Sequence, residues 1–375
     1  ANLSSISLAL SVISSILSVA KNPHSSTCSL SDKLIHLRPN RTHVALDTMG
    51  RPLRDLRVSV TDRCNFRCRY CMPRERFGKE HDFLPKSNIL TYEEIRKFVL
   101  ACKPLGLSKV RITGGEPLLR RDISKLVRQV SDLGLEVALT TNGSFLKREA
   151  ASLAEAGLDR VTISLDAIDQ DLHSRITDSN VTVSDILEGI EEATNCGLGP
   201  VKVNCVVQRG VNETQIPKLV RQFRGTGVIV RFIEFMDVGR TNGWTPGQVV
   251  PTSEILNFLS EEFELVPMIR DSPSDVASRW AHSDGSGEVG FISSVSQPFC
   301  GDCVRARLSS DGKLFTCLFT TVGHDMSALI RDEHGDYGLT EAIKQVWTRR
   351  SDRYSEERSS DAYSLPRVEM SYIGG

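Results

Sequence analysis

The chain has almost no net charge to offer a polyanion: 46 Lys and Arg stand against 47 Asp and Glu, −1 overall. A global basic field for nucleic acid is thereby excluded, and any anionic ligand must be met by locally placed cations. No run of about 18 or more apolar residues occurs, which argues against a spanning helix. No G-x-x-x-x-G-K-[ST] phosphate loop is present, so a bound polyphosphate would depend on Arg and Lys side chains. The remaining composition, 40% hydrophobic and 25% charged over 375 residues, excludes disorder over most of the length and any collagen-like or mucin-like chain. That length allows one large α/β unit or two to three smaller ones.

Ten cysteines are too sparse for a disulfide scaffold in a chain of this length. Six fall into two tight groups, Cys64/Cys68/Cys71 and Cys300/Cys303/Cys317. Such grouping inside an α/β chain reads as metal or cluster ligation in a reducing compartment. The scattered Cys28, Cys102, Cys196 and Cys205 read as small buried hydrophobes.

Residues 1–20 carry no charge, and apolar residues recur at Leu3, Ile6, Leu10, Ile13 and Leu17 beside a serine stripe. A Ser-rich, acid-poor, amphipathic segment predicts an organellar transit peptide, with a disordered arm as the alternative, over 1–45.

From residue 56 onwards strand and helix alternate. Strands are expected at 57–61, 109–113, 136–140, 160–165, 201–207 and 228–235, with helices at 91–103, 122–133, 147–156, 184–196 and 212–224. Thr91 and Asn212 read as N-caps followed by acids. The order argues for βαβ units and a parallel sheet. Strands covered on both faces should be almost wholly apolar, yet these alternate. Val58 and Val60 oppose Arg57, Ser59 and Thr61; Val110 and Ile112 oppose Arg111 and Thr113; Val203 and Cys205 oppose Lys202 and Asn204. A closed eight-stranded barrel fills its interior with bulky side chains. Six strands with a polar inner face predict an open, partial barrel whose lumen holds a charged ligand. A solvated sheet face is the competing account, which the intervening helices make the poorer one.

The first cysteine group follows the first strand as C-x-x-x-C-x-x-C. Three thiolates can hold three irons of a 4Fe–4S cube and leave the fourth open. Structural zinc wants four ligands, typically in paired spacing. This group, with Tyr70 before the last cysteine and Gly114-Gly115-Glu116-Pro117 after the second strand, resembles the radical S-adenosylmethionine signature. The glycine pair would let backbone approach the cofactor closely.

The second group has the spacing C-x-x-C-x13-C, which on its own suggests a zinc hairpin with His324 as a fourth ligand. Beside a first cluster, a second 4Fe–4S cluster is more economical. Arg305 and Arg307 alternate on a strand starting there, and Arg suits bidentate anion recognition. Together the stretches Leu56–Asn65, Arg111–Leu118, Thr140–Gly143, Ser164–Asp166, Lys202–Asn204, Glu234–Met236, Cys300–Arg307 and the terminal Gly374-Gly375 resemble the GTP 3′,8-cyclase family, also called molybdenum cofactor biosynthesis protein A.

The resemblance implies an α/β fold: a partial, open TIM-type (β/α)6 barrel with a C-terminal extension carrying a second iron–sulfur cluster. It implies two 4Fe–4S clusters, on Cys64, Cys68 and Cys71 and on Cys300, Cys303 and Cys317. S-adenosylmethionine would lie along Tyr70, Gly114, Gly115, Glu116, Ser164 and Met236. GTP would be held by Arg57, Arg111, Thr141, Lys202, Arg305 and Arg307, and the tail residues Gly374 and Gly375 would serve the active site. The cofactor would be reductively cleaved to a 5′-deoxyadenosyl radical that takes the ribose 3′ hydrogen of GTP, leading to 3′,8-cyclisation, the first step of molybdenum cofactor biosynthesis. Expected partners are an electron donor, a cyclic pyranopterin monophosphate synthase downstream and a second copy in a homodimer; the expected location is the mitochondrial matrix. The expected organisation is the arm 1–45, the barrel 50–240, the cluster and substrate extension 241–320, a charged linker 321–366 and the tail 367–375. The alternatives are a radical S-adenosylmethionine enzyme that modifies peptides and a non-catalytic zinc-binding interaction protein.

Overall fold

Six strands form where the alternation puts them: β1 (Asp55–Ser59), β2 (Lys109–Thr113), β3 (Glu136–Thr141), β4 (Arg160–Ser164), β5 (Lys202–Val207) and β6 (Ile229–Glu234). In the computed structural model, residues 44–332, 336–358 and 367–374 are described. These six strands run parallel in chain order, each paired to the next. Leu56, Val58, Val110, Ile112, Val161, Ile163, Val203 and Cys205 are fully buried on the face that meets the helices. Burying one such side chain contributes about 1.5–3 kcal/mol, so a one-residue register slip, which would turn this face inward, is strongly resisted.

The connecting helices are α1 (Tyr92–Cys102), α2 (Ile123–Ser131), α3 (Leu146–Glu155), α4 (Gln170–Thr177), α5 (Val183–Asn195) and α6 (Ile216–Phe223). In α1 the buried Ile95, Phe98, Val99 and Cys102 recur at helical spacing. Thr91 Oγ1 accepts from Glu94 N at 3.1 Å while Glu94 Oε2 accepts from Thr91 N at 2.7 Å, the expected capping box. Two local readings change. α4 was not foreseen; it is short and mostly polar, and Asp169 caps it by accepting from Leu172 N at 2.9 Å. Asn212 caps nothing: its amide donates to the Asp166 and Val206 carbonyls at 3.0 and 2.9 Å, so it ties β5 to the loop after β4.

Beyond β6 come α7 (Thr252–Ser260), β7 (Leu265–Pro267), β8 (Ser278–His282), β9 (Glu288–Ile292), β10 (Arg305–Leu308), β11 (Lys313–Phe315) and β12 (His324–Asp325). β9 pairs parallel with β6, and β10 pairs parallel with β1. The sheet order is β12-β11-β10-β1-β2-β3-β4-β5-β6-β9-β8-β7, with two separate ends. The barrel is therefore open, as expected, and its C-terminal extension lengthens both edges.

The expected linker is different. Its described part forms α8 (Ser327–Arg331) and α9 (Asp336–Thr348), and Leu339, Ile343 and Trp347 are fully buried at i, i+4, i+8 spacing. Trp347 Nε1 donates to the Arg51 carbonyl at 3.0 Å. The charged run after Thr348 masked this apolar stripe in the sequence. The tail forms α10 (Met370–Ile373). All described residues belong to the unit Thr42–Gly375; the expected arm falls almost wholly outside them. Among the described residues no helix is long and apolar enough to cross a membrane.

Candidate active site

The first cysteine loop leaves the carboxyl end of β1 and is tied to the loop leaving β2. Gly115 N donates to the Thr61 carbonyl and Glu116 N to the Arg63 carbonyl, each at 2.8 Å. A Cβ on Gly115 would lie 2.2 Å from the Arg63 oxygen, and one on Gly114, at φ +151°, 2.6 Å from the Thr61 oxygen. Within the protein, the close approach that demands these glycines is to the cysteine loop itself. Arg67 braces the loop through the carbonyls of Cys64, Phe66 and Phe77, at 2.7–2.8 Å.

Glu116 also differs from expectation. It is fully buried and does not line the cavity. Its carboxylate accepts from Thr141 Oγ1 and Asn142 N at 2.7 Å and from Leu118 N at 3.0 Å. It locks the end of β3 to the cysteine loop, and Asn142 in turn donates to Asn65 Oδ1 at 2.9 Å. Burial pushes the Glu116 carboxyl up to about 7, against these hydrogen bonds. Tyr70 donates to Asp166 Oδ2 at 2.7 Å, joining the loop to the end of β4.

One cavity of about 690 Å³ is lined by both cysteine triplets, by Tyr70, Gly114, Gly115, Thr141, Ser164 and Met236, and by every cation expected to meet substrate. Register explains the cations. Arg57 lies opposite Arg307 on one side and Arg111 on the other, so three guanidiniums share one level of the lumen. Six further cations line the lumen: Arg54, Lys109, Arg160, Arg231, Arg279 and Arg350. Arg231, opposite Asn204 on β6, lines the lumen and was legible from the alternation Val230-Arg231-Phe232. Arg160 lines it too, but pairs with Glu136. Arg57, Arg111, Lys202, Arg231 and Arg307 have no ion pair among the described residues. Their charge is correspondingly strained. Burial, then the neighbouring Arg307, Arg305 and Arg111, holds Arg57 well below the usual guanidinium range. Burial and Arg231 bring Lys202 down to about 8; burial and Arg111 bring Arg231 to about 9; burial and Arg305 bring Arg307 to about 10.

The second triplet sits across the cavity, anchored by partners remote in sequence. Arg51 Nη1 donates to the Cys300 carbonyl and Arg350 Nη1 to the Cys303 carbonyl, each at 2.7 Å. Both guanidiniums share the buried Asp47 carboxylate, at 2.5 and 3.4 Å. Burial raises the Cys303 thiol, but Arg305 and Arg350 more than offset it and bring it to about 6. His324 is exposed on β12 and does not line the cavity, so it offers no fourth ligand.

The C-terminal tail reaches this lumen. Arg307 donates to the Gly374 carbonyl. Gly374 has φ +77°, and a Cβ there would meet Thr113 Cγ2 at 2.3 Å. Gly375 lies outside the described residues.

Iron–sulfur ligation fits the first triplet. Burial, then the charge of Glu116, pushes the Cys64 thiol up to about 11, and burial with the neighbouring cysteines also raises Cys68 and Cys71. These half-buried cysteines disfavour the thiolate form on their own, so a cationic group that ligates them supplies the charge that form needs. Among the described residues no three His, Cys, Asp or Glu side chains converge as ligands of a single metal ion do. A cube differs, because each thiolate takes a separate iron. The lumen also fits a polar ligand: the buried Nε of Arg57 and both ring nitrogens of His173 line it without a hydrogen-bond partner in the described structure.

An open parallel barrel with a three-thiolate loop at the end of its first strand defines a radical S-adenosylmethionine enzyme. The family model described as "Radical SAM superfamily" matches residues 58–223, and "Molybdenum Cofactor Synthesis C" matches residues 228–356. The fold resembles a crystal structure of Streptococcus suis SuiB bound to S-adenosylmethionine, with a TM-score of 0.57 at 13% identity over 84% of this chain and 72% of that one. A GTP 3′,8-cyclase of Acidothermus cellulolyticus is 47% identical over 88% of this chain and 98% of its own length. One of Xanthomonas axonopodis is 47% identical over 88% and 98%. The chain belongs to the GTP 3′,8-cyclase family, radical S-adenosylmethionine lyases of the first step of molybdenum cofactor biosynthesis. Membership brings S-adenosylmethionine and a 4Fe–4S cluster as cofactors. The mitochondrial location expected from the N-terminal segment does not stand: these relatives are bacterial enzymes, and the segment on which it rested lies outside the described residues.

Proposed function

We propose that the cyclisation of GTP takes place in the lumen between the two cysteine loops. The observation that supports this reading is that Arg57, Arg111, Lys202, Arg231 and Arg307, which have no ion pair among the described residues, line one cavity with both triplets. A nucleoside triphosphate brings the missing negative charge. Arg57, Arg111, Lys202, Arg305 and Arg307, joined by Arg231, bind and orient it, with no phosphate loop to share the work. Cys64, Cys68 and Cys71 would hold the first 4Fe–4S cluster, and Tyr70, Gly114, Gly115, Ser164 and Met236 border the cofactor. When bound, the cluster supplies an electron and S-adenosylmethionine the hydrogen-abstracting carbon radical. Glu116 serves by holding the β3 end against the cysteine loop. Thr141, whose hydroxyl is committed to Glu116, lines the lumen from that same lock.

Cys300, Cys303 and Cys317 would hold a second 4Fe–4S cluster with one iron free of protein ligands. The barrel over 50–240 thus presents the cofactor, and the extension over 241–320 presents the far end of the substrate. Holding both reactants in one enclosed lumen raises their effective concentration and excludes water from a reactive intermediate. The tail, with Gly374 at Arg307, completes the wall. An external one-electron donor is required, and the cyclised triphosphate passes to a synthase that makes cyclic pyranopterin monophosphate.

The test is product analysis with GTP, S-adenosylmethionine and a strong reductant, alongside metal content. Anaerobically reconstituted protein should carry about eight irons if each triplet holds a cube. Cys300→Ala should halve the iron and keep cleavage of S-adenosylmethionine while losing the cyclised product. Zinc at the second triplet would falsify the two-cluster reading.

A further inference from the structure

A buried carboxylate beside the cavity gathers the end of the chain. Asp237 stands three residues past β6, between Met236 and Val238, which both line the lumen. Its own side chain faces away from the cavity lining and is almost fully buried. Asp237 Oδ2 accepts from Tyr354 Oη at 2.6 Å and from Arg367 Nη1 at 2.8 Å. Oδ1 accepts from Arg358 Nε at 3.1 Å, and the Asp237 carbonyl accepts from Arg367 Nη1 as well. The Arg367 guanidinium lies over the Tyr354 ring at 4.8 Å, and Tyr354 stacks on Phe319 at 4.5 Å. Phe319 lines the lumen next to the second triplet, its N–H directed at Cys317 Sγ at 3.5 Å.

None of these partners is local to Asp237: Tyr354 is 117 residues away and Arg367 is 130. The strand and loop that carry Asp237 already have their own hydrogen bonds, since Glu234 accepts from Thr252 N, Val295 N and Ser296 N at 2.8–2.9 Å. What Asp237 adds is a hold on the start of the tail. From Arg367 the chain makes one helical turn, α10, whose Met370 and Ser371 line the lumen, and reaches Gly374 at Arg307. Only Arg367, Val368 and Glu369 precede this turn, which rises about 1.5 Å per residue, so the place of Arg367 constrains the place of Gly374. Further contacts follow the same path: Glu369 accepts from Arg240 N and Thr241 Oγ1 at 3.1 Å, and Tyr372 Oη donates to Asp311 at 2.6 Å.

We propose that Asp237 is a positioning residue for the reaction: its ion pair with Arg367 seats the C-terminal tail in the lumen and sets where Gly374 meets Arg307. The inference rests on the reading above that the tail acts in the active site. Removing either partner breaks this hold between the loop after β6 and the tail; with Arg367 removed, Arg358 and Tyr354 still meet the Asp237 carboxylate.

The experiment uses the full-length, cluster-loaded enzyme and compares wild type with Arg367→Met, Asp237→Asn and the double variant. Release of C-terminal residues by a carboxypeptidase is followed by intact mass. Turnover is measured with and without a synthetic peptide of residues 370–375. Release should accelerate at least tenfold in each single variant, and the double variant should be no faster than the faster single, because one interaction is lost in all three. Turnover should fall at least tenfold and recover in part with the peptide, a rescue that a general loss of folding would not give. Arg367→Lys should retain most of the protection. If Asp237→Asn fails to fold, Arg367→Met decides alone, since it leaves Asp237 with Arg358 and Tyr354. Unchanged release in Arg367→Met, or a loss of turnover that the peptide does not relieve, overturns the proposal. Deleting Gly374 and Gly375 separates the two readings. If deletion leaves turnover intact, the tail's part in the reaction fails, and with it the positioning role, even where release has accelerated. If deletion abolishes turnover while release in Arg367→Met is unchanged, only the seat is refuted.

Discussion

Arg57→Met should make the protein more stable without substrate and much poorer at holding GTP. Arg57 is flanked in register by Arg111 and Arg307, and among the described residues its Nε has no hydrogen-bond partner and no carboxylate forms an ion pair with it. Methionine keeps the aliphatic bulk and removes the charge. Without GTP, one buried repulsive centre disappears, and replacing buried charge with well-packed apolar groups stabilises proteins by about 1–4 kcal/mol. For a unit of this size that is a rise in melting temperature of roughly 1–2 °C per kcal/mol. With GTP, the loss of one buried charge partner costs on the order of 2–4 kcal/mol, a rise in Kd of about 30-fold to 1,000-fold. The assay is a pair of thermal melts, with and without GTP, and a binding isotherm on anaerobic protein. The ligand-induced stabilisation should shrink while the unliganded melt rises. A variant that melts earlier than wild type and binds GTP within twofold of it would show that Arg57 is a structural cation and that the lumen is not the phosphate site.

Lys202, brought down to about 8 by burial and its cationic neighbours, should take up a proton when GTP binds near pH 8–9, because the bound phosphates raise its pKa. Affinity should therefore be greatest below about pH 8 and fall as pH rises through that value; calorimetry in buffers of different ionisation enthalpy reads the proton uptake, and its persistence in Lys202→Met would move the effect to another group. Gly115→Ala places a methyl group 2.2 Å from the Arg63 carbonyl, so the first cysteine loop must shift, at an overpacking cost of about 1–3 kcal/mol. Iron at the first triplet should drop while the Cys300 loop keeps its own; full loading of both would mean the two loops slide apart freely. Trp347→Ala removes a fully buried indole that donates to Arg51 and should destabilise the fold by about 3–5 kcal/mol. Because Arg51 and Arg350 hold the Cys300 and Cys303 carbonyls, iron loss from the second triplet should precede global unfolding in a chelator titration, and simultaneous loss from both would count against this anchoring.

Strand positions, the outward face of the barrel and the inward set Arg57, Arg111 and Lys202 could be read from residue order alone, because a period of two along a strand assigns each side chain to a face. The first triplet and the glycine pair were equally legible, since spacing within one loop is a local property. Arg231 obeyed the same alternation and needed only the conclusion that β6 belongs to the lumen. The partners that hold the site together were not legible. Thr48 bonds to Arg350 across 302 residues, Arg51 reaches Cys300 across 249, and Asp237 gathers Arg367 across 130. Nothing in the local windows around these residues distinguishes a buried, shared carboxylate such as Asp47 from a solvated one. Glu116 shows the same limit from the other side: its motif pointed to the cofactor, while its carboxylate is spent on Thr141, Asn142 and Leu118. In α9 the stripe Leu339, Ile343 and Trp347 was present in the sequence, yet only the packed structure showed a surface for it to cover. Periodicity belongs to the segment and survives in the sequence; the pairing of charges buried together belongs to the closed fold, where the low dielectric makes each partner matter.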